Sequence, residues 1–315
     1  MGLLKKDKLQ IIGFQGYGTE NRFHARGRAL EDERIDLDQK GLFALLRNTW
    51  KRFETDEIRH TSLCIKIGDT ISIKATTDRK GYYLVNEPLE QLSEYANEEG
   101  WLPFEVSYES KISKRTIVND NRFPSEMLIP CKKAVYGVIS DIDDTILHTG
   151  VISSLKWKVI INTIFKRASS RNALGGTANF YHKLHRGLEK DNANPIFYVS
   201  HSPWNLYRYL ELFLKINNFP KGPILLRSMS SFRAKNRETP APQKYHEIVT
   251  ILRTYPKLPF ILIGDAGEKD GDIYISVAKE FPGQVKAIYL RSVADKKRIN
   301  RIEELFAEFT EIPFL

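Results

Sequence analysis

Hydrophobic and polar residues follow two different patterns along the chain. Up to about residue 130, short runs of β-branched and aromatic residues alternate with turn residues, which is typical of β-strands. One helix is predicted among them, because apolar residues recur at helical spacing from Leu42 to Phe53. The predicted strands are residues 9–17, 22–29, 62–67, 70–75, 81–86 and 102–108. A mainly β, sandwich-like domain is therefore predicted for residues 1–130.

From about residue 134, apolar strand-like runs alternate with helical patterns, which predicts an α/β domain with a Rossmann-like parallel sheet and crossover helices. The predicted strands are residues 135–140, 196–200, 223–227, 260–264 and 285–290. The predicted helices are residues 154–168, 177–190, 203–217, 242–254, 270–281 and 295–309. This second domain is assigned to residues 131–315.

The length and composition of the chain bear on its number of domains and on its localisation. A length of 315 residues favours two domains, and no run approaches the roughly 20 apolar residues that a membrane-spanning helix needs. The N-terminus has neither the apolar core of an export signal nor the Ser or Thr of a myristoylation signal. Cys64 and Cys131 lie far apart and are expected to be buried thiols in a reducing compartment. The predicted localisation is cytoplasmic, with peripheral membrane attachment as an open alternative.

The net charge of +9 predicts attraction to anions: nucleic acid, an anionic membrane or a phosphorylated substrate. No nucleic-acid-binding motif is recognisable, so nucleic acid is the least favoured of the three. The segment 155–167 has apolar residues interspersed with Lys and Arg and predicts a helix that rests on an anionic membrane. An amphipathic core helix explains the same pattern equally well, and both interpretations stay open. The oligomeric state cannot be predicted.

Acidic and hydroxyl residues follow the predicted strands of the second domain. The first strand ends in DIDDT at 141–145, the second ends at Ser200 and the fourth ends at Asp265. In parallel α/β sheets ligands bind beyond the carboxyl ends of the strands, so these side chains are expected to meet there. Clustered carboxylates repel one another unless a cation lies among them. Their oxygen atoms favour Mg²⁺ as that cation.

The DIDDT motif after an apolar strand resembles the first motif of the haloacid-dehalogenase-like superfamily, and the later motifs follow in order. This resemblance implies that Asp141 is a nucleophile that forms an aspartyl-phosphate and that Asp143 is the general acid and base. It also implies that Thr145 and Ser200 bind the phosphoryl group. Lys244 is implied as the stabilising cation, with Arg227, Lys235 and Arg237 as alternatives. The implied Mg²⁺ ligands are Asp141, Asp143, Asp265 and Asp270.

A narrower resemblance covers most of residues 134–293. The segments DIDDT at 141–145, FYVSHSPWNLY at 197–207 and LIGDAGEKD at 262–270 are similar to the catalytic domain of the actin-patch-associated phosphatidate phosphatases and their bacterial relatives. The resemblance implies Mg²⁺-dependent conversion of phosphatidate to diacylglycerol at a membrane surface. His201 and Ala266 depart from the family pattern at positions where Asn and Ser are expected. A phosphatase of a soluble phosphoester and a non-catalytic lipid- or partner-binding module remain the alternatives.

Overall fold

The structure is a computed structural model that describes residues 8–32, 57–109, 115–142, 145–146, 171–188, 191–227, 242–266, 269–291, 296–307, 309 and 312–313. The chain divides into two compact units, Met1–Pro130 and Cys131–Leu315. The division falls after Pro130, close to the point where the hydrophobic pattern changes from strands alone to strands alternating with helices.

The described part of the first unit contains two β-sheets. Its strands are β1 (Lys8–Phe14), β2 (Gly16–Tyr17), β3 (Arg22–Asp32), β4 (Ser62–Ile67), β5 (Ile71–Thr76), β6 (Tyr82–Pro88), β7 (Trp101–Tyr108) and β8 (Phe123–Leu128). One sheet has the order β1-β3-β6 and is antiparallel. The other has the order β2-β8-β7-β4-β5, in which only β2 and β8 run parallel.

The two sheets of the first unit pack face to face around one apolar core. Burial alternates along β4, where Leu63 and Ile65 are buried and Lys66 is exposed, because successive side chains of a strand point to opposite faces. Phe23 of the three-stranded sheet contacts Phe104 of the other edge to face, with ring centroids 5.1 Å apart. One cluster of buried residues includes side chains from both sheets. The predicted strand-rich first unit is confirmed, whereas the helix predicted over 42–53 lies outside the described residues.

Cys64 and Cys131 are free thiols, and each is partly exposed to solvent. The expectation that both thiols are buried is therefore wrong. At Cys64 the reason is the alternation along β4, which turns this side chain away from the core. Its Sγ lies 3.2 Å from the Oγ of Ser72 on the neighbouring strand.

The second unit is an α/β unit with a parallel sheet, which confirms that part of the predicted fold class. Its strands are β9 (Gly137–Asp141), β10 (Ile196–Pro203), β11 (Ile224–Arg227), β12 (Phe260–Asp265) and β13 (Val285–Arg291). Its described helices are α1 (Arg171–Arg186), α2 (Tyr207–Ile216), α3 (Gln243–Thr254), α4 (Asp270–Glu280) and α5 (Lys296–Ala307). The helix predicted over 154–168 lies outside the described residues.

The order of the parallel strands is β11-β10-β9-β12-β13. The chain therefore builds outward from β9 through β10 to β11, and then returns to the other side of β9 for β12 and β13. This reversal at β9 is the topological feature beside which ligands bind in open α/β sheets, beyond the carboxyl ends of the strands. None of the helices described has the length and apolar character that crossing a bilayer requires.

Candidate active site

The carboxyl ends of the three central strands bring several predicted site residues to one edge of the sheet, here called the carboxyl edge. β9 ends at Asp141, β12 ends at Asp265, and β10 contains Ser200. On β10, Val199 is level with Asp141, and on β12, Ile263 is level with the residue before Asp141. Ser200 and Asp265 therefore each lie one residue beyond the level of Asp141, on the strands that flank it.

Lys244 is a buried cation at the carboxyl edge. Its Nζ donates hydrogen bonds to Oδ1 of Asp141 at 2.7 Å and to Oδ1 of Asp270 at 2.5 Å. The exposed fractions are 2% for Lys244, 0% for Asp141 and 1% for Asp270. Burying an isolated charge is very costly, and pairing with hydrogen bonds is what makes it tolerable. The three side chains are therefore interdependent, because removing any one of them leaves a buried partner without one of its hydrogen bonds.

Two opposing effects act on the pKa of Lys244. Burial by itself lowers the pKa, because the protonated ammonium loses its hydration. The carboxylates of Asp141 and Asp270 act in the other direction, both through their charge and through their hydrogen bonds, and the net result is a pKa raised well above that of an ordinary lysine. Lys244 is thus a permanent cation beside Asp141 at any physiological pH.

Asp270 is held by two protein groups. It is the first residue of α4, where the helix dipole favours a negative charge. Its Oδ1 accepts the hydrogen bond from Lys244, and its Oδ2 accepts one from the backbone N–H of Asp265 at 3.1 Å. A Cβ on Gly264 would come within 2.6 Å of Oδ2 of Asp270, so this close approach requires glycine. Asp270 therefore links Lys244 to the end of β12.

The predicted phosphate-binding hydroxyls Thr145 and Ser200 are both nearly buried, at 7% and 5% exposed. Oγ of Ser200 accepts a hydrogen bond from the backbone N–H of Ser202 at 2.9 Å, where the register of β10 against β11 shifts. Oγ1 of Thr145 is buried and has no hydrogen-bond partner among the described residues. A buried hydroxyl without a protein partner can still donate a hydrogen bond to a bound group or accept one from it.

Sequence reasoning missed one cation at the carboxyl edge, Arg291. It ends β13 level with Asp265, and its Nη1 lies 3.4 Å from the backbone carbonyl oxygen of Thr145. Its position at the end of a strand of the parallel sheet was the available signal. Of the alternatives to Lys244, Arg227 ends β11, while Lys235 and Arg237 lie outside the described residues.

The predicted metal ligands are only partly described. Asp143 lies outside the described residues, as does the whole of the basic segment 155–167. Within the described part of the chain, no group of three or more His, Cys, Asp or Glu side chains is arranged to hold a metal ion. His201 is half-buried at the edge of the site, and the buried Ala266 donates its backbone N–H to the carbonyl of Arg291 at 3.1 Å.

Together the second unit and its carboxyl edge define a class of protein. It is an α/β protein in which the central strand of a parallel sheet ends in a buried aspartate, and a buried lysine is paired with that aspartate. Residues 136–292 match the family described as "Phosphatidate phosphatase APP1, catalytic domain". The matched segment contains every site residue named above, and the resemblance seen in the sequence is confirmed.

Two fungal proteins are similar to this chain over more residues than the family match covers. Phosphatidate phosphatase APP1 of Saccharomyces cerevisiae is 33% identical over 225 residues, which cover 71% of this chain and 35% of the yeast protein. An uncharacterized protein of Schizosaccharomyces pombe is 25% identical over 266 residues, which cover 82% of this chain and 40% of that protein. Both alignments are longer than the second unit, so the similarity reaches into the first unit. The chain spans less than half the length of either relative.

Among solved structures, a carbohydrate acetylesterase from Xanthomonas citri matches 93% of this chain and 74% of its own at 7% identity, with a TM-score of 0.31. An overlap this weak carries no argument about fold or function.

Proposed function

We propose that the chain is a magnesium-dependent phosphomonoester hydrolase of the haloacid-dehalogenase-like superfamily, with Asp141 as its nucleophile. The observation that carries this proposal is the buried pair of Asp141 and Lys244 at the end of the central strand. A structural role alone would not require a carboxylate there, because an apolar side chain would fill the same space at lower cost. A carboxylate that attacks a phosphate group, however, needs a nearby cation to screen their mutual repulsion.

The reaction has two balanced steps. In the first, a carboxylate oxygen of Asp141 attacks phosphorus, the bond from phosphorus to the leaving oxygen breaks, and that oxygen takes a proton from Asp143. In the second, Asp143 takes a proton from water, whose oxygen attacks phosphorus and releases inorganic phosphate from Asp141. Lys244 holds the nucleophile through Oδ1 and stabilises the added negative charge of the transition state, while Thr145 and Ser200 contact phosphoryl oxygens.

We infer a magnesium ion at this edge from the chemistry of its carboxylates, whose oxygen atoms are the ligands that Mg²⁺ prefers. Asp141, Asp265 and Asp270 are buried carboxylates at this edge. Among the described residues named there the cations are Lys244 and Arg291, so the carboxylates outnumber the cations by three to two. Asp270 is committed to Lys244 and to a backbone N–H, so Asp141 and Asp265 would hold the ion together with Asp143. Mg²⁺ sites commonly use one or two carboxylates plus water and substrate phosphate. When bound, the ion would supply charge neutralisation of the phosphoryl group.

The proposed substrate is phosphatidate at a membrane surface, with diacylglycerol as product. This rests on the match of residues 136–292 to the APP1 catalytic domain and on the similarity to the yeast enzyme. The net charge of +9 supports a negatively charged substrate surface. A cytoplasmic protein attached peripherally to a membrane is the corresponding location.

Two experiments test the proposal. Hydrolysis of an aryl phosphate with and without Mg²⁺ separates an enzyme from a binding module, and Asp141→Asn should lower turnover at least about a thousandfold without changing the fold. An active Asp141→Asn variant would exclude covalent catalysis by this residue.

The second experiment compares phosphatidate in vesicles with a panel of soluble phosphates. Preference for the vesicles, weakening as salt is added, supports the lipid substrate, because salt screens attraction to an anionic surface. A soluble phosphate that is hydrolysed faster at every salt concentration would favour the alternative, a phosphatase of a soluble phosphoester.

A further inference from the structure

A buried pair of hydroxyl groups lies directly behind the nucleophile. Ser140 precedes Asp141 on β9 and is 0% exposed, and Tyr181 on α1 is 1% exposed. Oγ of Ser140 donates a hydrogen bond to the backbone carbonyl of Asp141 at 2.9 Å, and it lies 2.6 Å from the hydroxyl oxygen of Tyr181. Since the single proton of Ser140 is used on Asp141, Tyr181 is the donor to Ser140.

This pair holds one end of the peptide group that follows the nucleophile. The carbonyl oxygen of Asp141 accepts from Ser140, and the N–H on the other side of the same peptide, that of Ile142, donates to the carbonyl of Val199 at 3.1 Å. Both polar atoms of this peptide are therefore tied, one to the neighbouring strand and one to a side-chain hydroxyl. The orientation of this peptide sets the direction in which the Asp141 side chain leaves the backbone.

Tyr181 is itself fixed by its surroundings. Its ring stacks on that of Tyr198 with centroids 6.3 Å apart and meets the ring of Phe219 at 5.3 Å. Burial raises the pKa of Tyr181 well above its ordinary value, so its hydroxyl stays protonated and keeps its role as donor. An aromatic ring held on two sides gives the donor little freedom to move.

We propose that Ser140 and Tyr181 are positioning residues, which act through the backbone of Asp141 to aim its carboxylate at Lys244 and at the phosphorus atom. This inference rests on the proposed function, because it assigns a supporting role in the same reaction. Small displacements of a reacting group cost large factors in rate. Removal of the Tyr181 hydroxyl is expected to lower kcat about tenfold and to leave KM unchanged, because Tyr181 does not contact the substrate.

Tyr198 provides a matched control on the same stack. It is 0% exposed, and its hydroxyl donates to the carbonyl of Pro220 at 2.7 Å, a group with no link to the nucleophile. Tyr181→Phe and Tyr198→Phe thus remove the same atom from similar surroundings. Both variants should lower the midpoint of urea unfolding by similar amounts, but only Tyr181→Phe should lower kcat.

The test measures kcat and KM on an aryl phosphate with Mg²⁺ for the full chain, together with urea unfolding. Ser140→Ala should lower kcat at least as much as Tyr181→Phe, and the double variant should be no slower than Ser140→Ala, because the two hydroxyls act in series. Equal effects of Tyr181→Phe and Tyr198→Phe on kcat, or additive effects of Ser140→Ala and Tyr181→Phe, would overturn the inference while leaving the proposed function intact. An inactive wild-type protein would overturn both.

Discussion

Replacing Lys244 by methionine tests the strength of the buried ion pairs. Lys244→Met keeps the length of the side chain but removes the ammonium group that contacts Asp141 at 2.7 Å and Asp270 at 2.5 Å. The lysine side chain is 1% exposed, so bulk water has no access to replace the lost donor. Removing one partner of a buried pair typically costs about 3–5 kcal/mol, and we expect a loss of that size in the free energy of unfolding.

The matched control is Arg253→Met, on the same helix α3. Arg253 pairs with Glu280 at 2.9 Å, but its side chain is 67% exposed. Exposed pairs contribute little, so this variant should lose less than about 1 kcal/mol. Urea unfolding followed by circular dichroism at neutral pH compares the two variants with the wild-type chain. Adding Asp141→Asn to Lys244→Met should recover part of the loss, because it removes one of the carboxylates left without a cation.

The pH dependence adds a second check. The pKa of Lys244 is raised in the folded chain, so its contribution is fully present below the pKa of an unfolded lysine and is lost only as pH rises through the higher folded pKa. The wild-type chain should therefore keep the contribution of Lys244 as pH rises from about 6 to 9, below the pKa of an unfolded lysine. A loss no larger than that of Arg253→Met would contradict the interior pairing of Lys244.

Three further outcomes are expected. Asp265→Ala should raise the Mg²⁺ concentration needed for half-maximal hydrolysis, and a metal titration that superimposes on the wild-type curve would remove Asp265 from the metal site. Gly264→Ala should cost about 1–3 kcal/mol in urea unfolding, because the new Cβ would overlap Asp270. Burial, together with the charge of Arg26, lowers the pKa of His24 from 6.5 to about 4, so the chain should lose up to about 3 kcal/mol as pH falls from about 6.5 to 4. A His24→Gln variant with the same acid sensitivity as the wild type would refute that assignment.

The pattern of hydrophobic residues was sufficient to predict most of the strands and the change from a β-rich to an α/β arrangement. It was not sufficient at β8, Phe123–Leu128. Here buried Phe123, Ser125 and Met127 do alternate with more exposed residues, but Pro124 interrupts the run. Proline usually argues against a strand because it cannot donate to the ladder. The proline is tolerated because β2 pairs with β8 only at Met127 and Leu128, so at Pro124 the strand has β7 as its one described neighbour and one side of its backbone needs no ladder donor.

Sequence reasoning named most of the side chains that the structure brings to the carboxyl edge, but it missed Arg291 and did not predict how the side chains pair. The strand ends named Asp141, and the family resemblance named Lys244 and Asp270. The sequence could not show that Asp270 contacts Lys244 and the end of β12, because this depends on the space beside Gly264. The contact between Ser140 and Tyr181 behind the nucleophile could not be predicted from the sequence for a similar reason. A serine inside an otherwise apolar strand gives no sign that a tyrosine from a helix reaches it.

The energetics of the site argue that it exists for chemistry. Three buried carboxylates and one buried lysine share the carboxyl edge among the described residues, and well-packed apolar side chains of similar volume would often be at least as stable. Even with Arg291 counted, the carboxylates described at this edge outnumber the cations before any ligand binds. A fold gains nothing in stability from such an excess, whereas a metal ion and a phosphate group together would offset it. The same excess explains why Lys244 alone should not suffice for turnover, and why removing the divalent ion should abolish hydrolysis while leaving the Lys244 pairs in place.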